Sequence, residues 1–380
     1  MQFILINALG IENSGGLTIL RNNIRELNIE NKKTYFVLVN KGKYINNLIN
    51  ELQNQENIKF LTISNYGNLY RLLFENIFIP FFVRKRNISL IYNLSGSNQF
   101  FSSVPNIVKI QNLLFYTKSL DQYYFDNHLY ALWLKHIFLK RIVFLMMLKV
   151  SKNIEIQSIH VKDELSQFIS LKNKKFFLKN DFHIHDKVAS PKNYETKDEI
   201  TFLYVVGPHF NMPHKNIKDF IGAMLLLLEK DFEFKINITL TRSDLEKTEL
   251  WDQRLNNVTN FLGYIDDKKT MKSLYHDNVV LISTSIIETL GLHVIEASLN
   301  GILCIVPNES YALKVYGEKV FTYNLFNSQS LLENILGLKV YNKYDLNKII
   351  LDTQSYIYKC EIDKYKTSNE VLNEVLRQEG

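Results

Sequence analysis

Cysteine is nearly absent: Cys304 and Cys360 are the only two in 380 residues. Cys304 falls inside the apolar run Ile302-Leu303-Cys304-Ile305-Val306, which reads as a core strand. A disulfide framework is therefore not expected, and a reducing, cytoplasmic compartment fits. Long hydrophobic runs are missing too. No 18 consecutive apolar residues free of charge occur, so no membrane span is expected. The opening Met1-Gln2-Phe3-Ile4-Leu5-Ile6-Asn7 lacks a basic n-region and a small-residue cleavage site, and reads as a first strand. No Lys/Arg block of nucleic-acid type appears. With 45 basic and 39 acidic residues the net charge is only +6. That mild excess suits an anionic small ligand or an anionic membrane surface, with no nucleic acid partner. No G-x-G-x-x-G follows a strand, which argues against a dinucleotide cofactor. Internal repeats and low-complexity tracts are absent as well.

What is present is ample apolar content, 46% of residues against 22% charged. That supports ordinary cores, and the length suggests two domains or slightly more. Strands are predicted over Gln2–Asn7, Lys33–Val39, Ile58–Leu61, Leu90–Tyr92, Ile107–Ile110 and Ile154–Gln157, with helices near 16–28, 43–54, 66–78, 120–150 and 160–170 between them. This alternation predicts a doubly wound parallel sheet over residues 1–190. The polar stretch 179–199, including His183 and His185, reads as the linker. A second alternation over 191–345 starts at Thr201, with strands near 235–240, 258–261, 279–284, 302–306 and 319–323. Residues 346–380 read as amphipathic helix.

The segment Ser285–Ala297 carries the most chemistry. Glu288 and Glu296 stand eight positions apart, flanked by the apolar runs 279–282 and 302–306, a strand–loop–helix–strand unit. Glu288 then falls in the loop at a strand's carboxyl end, and Glu296 about two turns into the helix. The backbone N–H groups of Thr289, Leu290, Gly291 and Leu292 mark the helix start. With the positive end of the helix dipole they suit a diphosphate. A carboxylate beside them suits sugar hydroxyls.

This segment resembles the Glu-x7-Glu signature of retaining GT-B glycosyltransferases of family 4, of the bacterial surface-glycan type. The resemblance implies two Rossmann-like doubly wound domains facing across a cleft, with the last helix crossing back to the first domain. It also implies transfer of a sugar from a nucleotide diphosphate donor with retained configuration, Glu288 holding a donor-sugar hydroxyl and Glu296 the ribose. Gly15 and Gly16, after the first strand, resemble the family's Gly-Gly donor loop. Lys215, beyond Gly207, matches the cation that neutralises the diphosphate. The usual Arg is missing from that loop, and His209 or His214 occupies its neighbourhood. Arg242 is a second candidate cation. Gly263 and Tyr264 resemble the base-binding loop. Gln111 and Asn112 stand where related enzymes place a polar pair near the reacting sugar. No Asp-x-Asp occurs, so no metal or other cofactor is expected.

UDP-sugars rank first as donor and GDP-sugars second, with a glycan or lipid-linked saccharide as acceptor in O-antigen, capsule or related synthesis. Two alternatives stand beside this reading: a non-catalytic sugar-nucleotide-binding partner subunit, and a soluble transferase acting on a small sugar. Two apolar, basic stretches, 69–86 and 129–150, fit either an interfacial helix at the inner face of the plasma membrane or core helices with snorkelling stems.

Overall fold

The computed structural model describes residues 2–11, 14–27, 33–52, 55–64, 67–179, 181, 188–194, 199–207, 209–248, 250–265, 267–362, 365 and 367–379. The chain forms two compact units. One comprises Met1–Thr117, Tyr124–Asp181 and Lys364–Gly380; the other comprises Lys118–Tyr123 and Phe182–Asp363.

In the first unit seven strands form one parallel sheet: β1 Gln2–Asn7, β2 Lys33–Asn40, β3 Ile58–Ile63, β4 Ile88–Asn93, β5 Asn106–Ile110, β6 Asn153–Ile156 and β7 Lys175–Leu178. Their order is β3-β2-β1-β4-β5-β6-β7. Every residue of β2 is buried, as expected for a parallel strand covered on both faces. One core packs the Ser14–Leu27 helix onto Ile4, Ile6 and Val37; another, on Leu5, Phe36 and Ile91, takes Ile79 and Val83 of the Asn68–Arg86 helix.

The second unit holds β8 Ile200–Tyr204, β9 Phe234–Ile238, β10 Thr259–Phe261, β11 Val279–Ile282, β12 Leu303–Pro307 and β13 Phe321–Tyr323, ordered β10-β9-β8-β11-β12-β13 and all parallel. In each sheet the chain order reverses once, between β1 and β4 and between β8 and β11. Open α/β sheets bind ligands outside the carboxyl ends of the strands at such a reversal.

Three expectations need correction. First, β7 is absent from the predicted strands. Its four residues sit among lysines that break the apolar pattern, and only its pairing with β6 identifies it. Second, the helix predicted over 120–150 is broken into Ser119–Asp126, Tyr130–Trp133, a π-helical Leu134–Phe138 and Leu139–Val150. His128 takes φ 56°, and the N–H of Leu129 donates to the Tyr124 carbonyl, ending the first piece. Third, the tail divides. Leu346 and Ile350 of the Lys343–Ile362 helix lie in the second unit's core, whereas Val371, Leu372 and Val375 of the Ser368–Glu379 helix lie in the first unit's.

Part of the predicted linker is held against the second unit. Residues 188–194 dock along the second unit: Ala189 N–H donates to Leu299 O at 2.9 Å and Lys192 N–H to Gly301 O at 2.9 Å. His183 and His185 lie outside the described residues.

Candidate functional site

The second unit's reversal point brings together the loops that follow β8 and β11. The β8 loop ends in a 3-10 turn, Pro213–Lys215, and the Ile217–Leu228 helix follows. The β11 loop runs through Ser285 and Glu288 to the Leu292–Leu299 helix. Because β8 and β11 are neighbours in register, with Val279 opposite Thr201, their loops leave the sheet side by side. They are stitched together. Ile286 N–H donates to the His214 carbonyl at 2.7 Å, and Thr284 Oγ1 donates to the Lys215 carbonyl at 2.8 Å. Tyr204, from the end of β8, pairs its hydroxyl with Thr284 Oγ1 at 2.8 Å.

This scaffold sets Lys215 Nζ 2.6 Å from Glu288 Oε1. Both side chains are half-buried. Burial alone would raise the Glu288 pKa; the Lys215 ammonium outweighs it, with His293 and His214 adding, and holds the carboxyl at about 2. Glu288 is thus a carboxylate at any ordinary pH. The two histidines behave oppositely to a cation. Burial, with Lys215 adding, lowers His214 to about 4 against the pull of Glu288. Burial likewise lowers His293 to about 4, and its Nε2 lies 3.0 Å from Ser283 Oγ. His214 is therefore neutral near pH 7 and does not supply the positive charge of the missing Arg.

Gly291 closes the β11 loop in the left-handed region, φ 59°, as the residue capping the helix start. A Cβ there would lie 2.0 Å from the Tyr316 hydroxyl, which donates to the Leu290 carbonyl at 3.0 Å. Tyr311 ties the same loop through the Ser285 carbonyl at 2.6 Å. Leu290 is itself buried, so its side chain is an anchor. The first turn of the helix, at Leu292 and His293, has no intrahelical acceptors for its N–H groups. Glu296 lies just over one turn into this helix, not two, because the helix starts only at Leu292. Its side chain reaches the surface, yet neighbouring protein raises its pKa, with Lys268 opposing.

Of the other expected residues only Gly207 lies in these two loops. Arg242 is exposed and paired with Glu246 at 2.7 Å within its own helix. Gly263 has φ 69°, and its N–H already donates to the Leu240 carbonyl at 3.1 Å, so that group is not open to a nucleobase. Tyr264 is exposed. Gly207 follows β8, and its carbonyl accepts from Phe210 N–H at 3.1 Å. Gly15, Gly16, Gln111 and Asn112 belong to the first unit. Gly15 and Gly16 form the first turn of the Ser14–Leu27 helix, and nothing lies within 4 Å of a Cβ built at Gly15. Asn112 turns inward on its own loop, accepting from Leu114 N–H at 2.8 Å. Among the described residues no group of three or more His, Cys, Asp or Glu gathers as a metal site.

Sequence reasoning missed a polar cluster at the first unit's reversal point. Asn7, the last residue of β1, donates to Asn93, the last of β4, at 3.0 Å and to Glu75 at 2.9 Å. Arg71 completes it, bonding Glu75, Ser95 and Ser97 within 3.1 Å. A visible signal existed, since β1, β2 and β4 each end in Asn.

Residues 189–338 match the family model described as "Glycosyl transferases group 1". No curated protein matches the chain. Among solved structures, the Anabaena HepE complex with UDP and glucose is similar with a TM-score of 0.66 at 14% identity, covering 100% of both chains. Sucrose-phosphate synthase from Thermosynechococcus elongatus gives 0.68 at 12% identity, covering 100% of this chain and 99% of that one. A mutant of S. aureus TarM, in complex with fondaparinux, alpha-GlcNAc-glycerol and UDP, gives 0.65 at 13% identity, covering 100% and 99%. At these identities the likeness shows the fold: two parallel-sheet Rossmann-like domains of GT-B type.

Proposed function

We propose that this chain is a glycosyltransferase that moves a sugar from a nucleotide diphosphate donor, with retained configuration and without a metal ion. The Lys215–Glu288 pair carries the reading. A cation and a carboxylate meet at the reversal point of a nucleotide-binding type of sheet, within the region matched to glycosyl transferases group 1. Lys215 and the N–H groups at the start of the Leu292–Leu299 helix take the diphosphate and stabilise the leaving group. That draws the ammonium from Glu288, whose carboxylate then accepts hydroxyl groups of the donor sugar. Glu296 accepts the ribose hydroxyls. The departing phosphate takes the acceptor's proton on the same face, so no protein nucleophile is required.

UDP-sugars come first as donors, in keeping with the UDP named in two of the similar structures; GDP-sugars come second. The acceptor is a glycan or lipid-linked saccharide of a bacterial surface polymer, assembled on the cytoplasmic side. One observation favours a second reading, a donor-binding partner subunit without turnover: His214 is neutral, so the loop offers one cation where related enzymes use two.

A panel of UDP-, GDP-, CMP- and dTDP-sugars, scored by thermal shift and slow donor hydrolysis, separates these. We expect one nucleotide class to stabilise the folded protein by about 2.7 kcal/mol at a hundred times Kd, with measurable hydrolysis. Glu288→Ala should lower kcat by roughly 100-fold or more, a loss of about 2.7 kcal/mol of transition-state stabilisation, with the fold retained. Near wild-type activity in that variant overturns the mechanism. Binding without turnover in the parent chain selects the partner-subunit reading, and binding of none overturns both.

A further inference from the structure

The Asn68–Arg86 helix is polarised the wrong way for a helix in water. Its charged residues before the last turn, Arg71 and Glu75, point inward, Glu75 being 1% exposed. Its outer stripe is apolar at every fourth position: Leu69, Leu73, Ile77 and Phe81 are 72%, 52%, 68% and 61% exposed. The stripe then ends in exposed Arg84, Lys85 and Arg86, with Lys85 Nζ 5.9 Å from the Phe81 ring centroid. A second helix of the same unit, Leu139–Val150, repeats the pattern. Leu139, Ile142, Met146 and Val150 are exposed at helical spacing, with exposed Lys149 and Lys152 on either side of the last of them. The C-terminal ends of the two helices adjoin, because Arg84 of the first and Val150 of the second line one cavity of about 560 Å³. The loop bordering that cavity carries Phe101, which is 84% exposed.

Charge along this part of the chain is one-sided. Of the first unit's charged residues between 76 and 154, Arg84, Lys85, Arg86, Lys135, Lys149 and Lys152 are exposed against one exposed acid, Asp126, whereas Lys109 and Arg141 are buried. We propose that this face of the first unit docks onto an anionic lipid bilayer. Leu, Ile, Phe and Met tips enter the headgroup–acyl boundary while the basic ends sit among lipid phosphates. The sign of the charge selects this occupant. A second copy of the chain would bring like-charged faces together across a two-fold axis, whereas an anionic leaflet complements both the apolar stripes and their basic ends. The proposal stands on the first unit alone and does not depend on the transferase reading.

Co-sedimentation of the full chain with phosphatidylcholine vesicles, with and without phosphatidylglycerol, tests it, and nucleotide-sugar thermal shift on the same samples reports folding and donor binding separately. The parent chain should partition at least roughly ten-fold more strongly onto the anionic vesicles, and less so as salt rises. Leu73→Ser with Ile77→Ser should abolish binding at every salt concentration. Arg84→Gln with Lys85→Gln should remove the preference for anionic lipid, and Lys235→Gln on the second unit should change nothing. Equal partition onto neutral and anionic vesicles, no partition by folded protein, or parental binding by both double variants would each overturn the proposal. So would a dimer in sedimentation velocity that Ile77→Ser dissociates without altering vesicle binding.

Discussion

At Gly291 two demands coincide: a left-handed backbone and a hydroxyl pressed against the α-carbon. Gly291→Ala should destabilise by about 1–3 kcal/mol in urea unfolding. Tyr316→Phe takes away the oxygen that the new methyl would strike. The double variant should therefore lose about 1 kcal/mol less than the two single losses combined. Additivity would show that the cost is backbone strain only. The ionisable neighbours of Glu288 give the site a pH signature. His293 and His214 are each held at about 4 when folded, against 6.5 ordinarily. As pH falls from 6.5 to 4 the unfolded chain binds protons that the folded chain does not. Stability then drops by up to about 1.4 kcal/mol per pH unit for each histidine, levelling off below 4. Glu288, lowered to about 2, adds stability that is complete above its ordinary 4.5 and is lost as pH falls toward 2. His293→Gln should remove about half of the slope between pH 4 and 6.5 in a urea-unfolding series; an unchanged slope would mean that His293 protonates freely in the fold.

At the level of elements, strands β5 and β6 and the segment after β7 are joined by buried charges. Lys109 lies 2.6 Å from Glu155 and 2.5 Å from Asp181, and all three side chains are fully buried. Lys179 adds a further contact to Asp181 at 3.4 Å. Burial would raise the Asp181 pKa, but Lys109 and Lys179 outweigh it and hold it at about 2. Lys109→Met leaves two buried carboxylates short of a counter-ion. It should cost about 3–5 kcal/mol by chemical denaturation, more than exposed ion pairs such as Arg242–Glu246, for which about 0–1 kcal/mol is expected. Nothing in the sequence around Lys109 distinguished it from a surface lysine. Strand periodicity shows which face of a strand is apolar, but a buried charge is recognisable only once its partners, 46 and 72 residues away, are in place.

For the whole molecule, the last helix makes the first unit discontinuous in sequence. Ser368 Oγ donates to Glu26 at 3.0 Å, Lys33 Nζ donates to Asn369 Oδ1 at 3.1 Å, and Val371, Leu372 and Val375 are fully buried. Leu372→Ala should therefore destabilise by about 2–5 kcal/mol, the cost of a core cavity and not of a frayed terminus. A loss below 1 kcal/mol would show that the tail is dispensable to that core.

Apolar periodicity determined most of the fold. Eleven of the thirteen strands lie within two residues of where alternating runs place them, because a strand buried on both faces must be written in apolar residues whatever its neighbours are. Two exceptions are instructive: β7, hidden among lysines, and β8, which ends at Tyr204 although the apolar run from Thr201 continues through Val205 and Val206. The spacing of Glu288 and Glu296 likewise singled out the β11 loop, and Lys215 the β8 loop. Tertiary structure alone decided that these loops share one reversal point, that Lys215 pairs with Glu288, and that His214 is neutral. Each depends on which strands become neighbours and how much water the packed loops exclude. It also decided that the Asn68–Arg86 helix turns Arg71 and Glu75 inward and exposes Leu69, Leu73, Ile77 and Phe81. A helix apolar around most of its circumference carries no mark of which side faces the sheet.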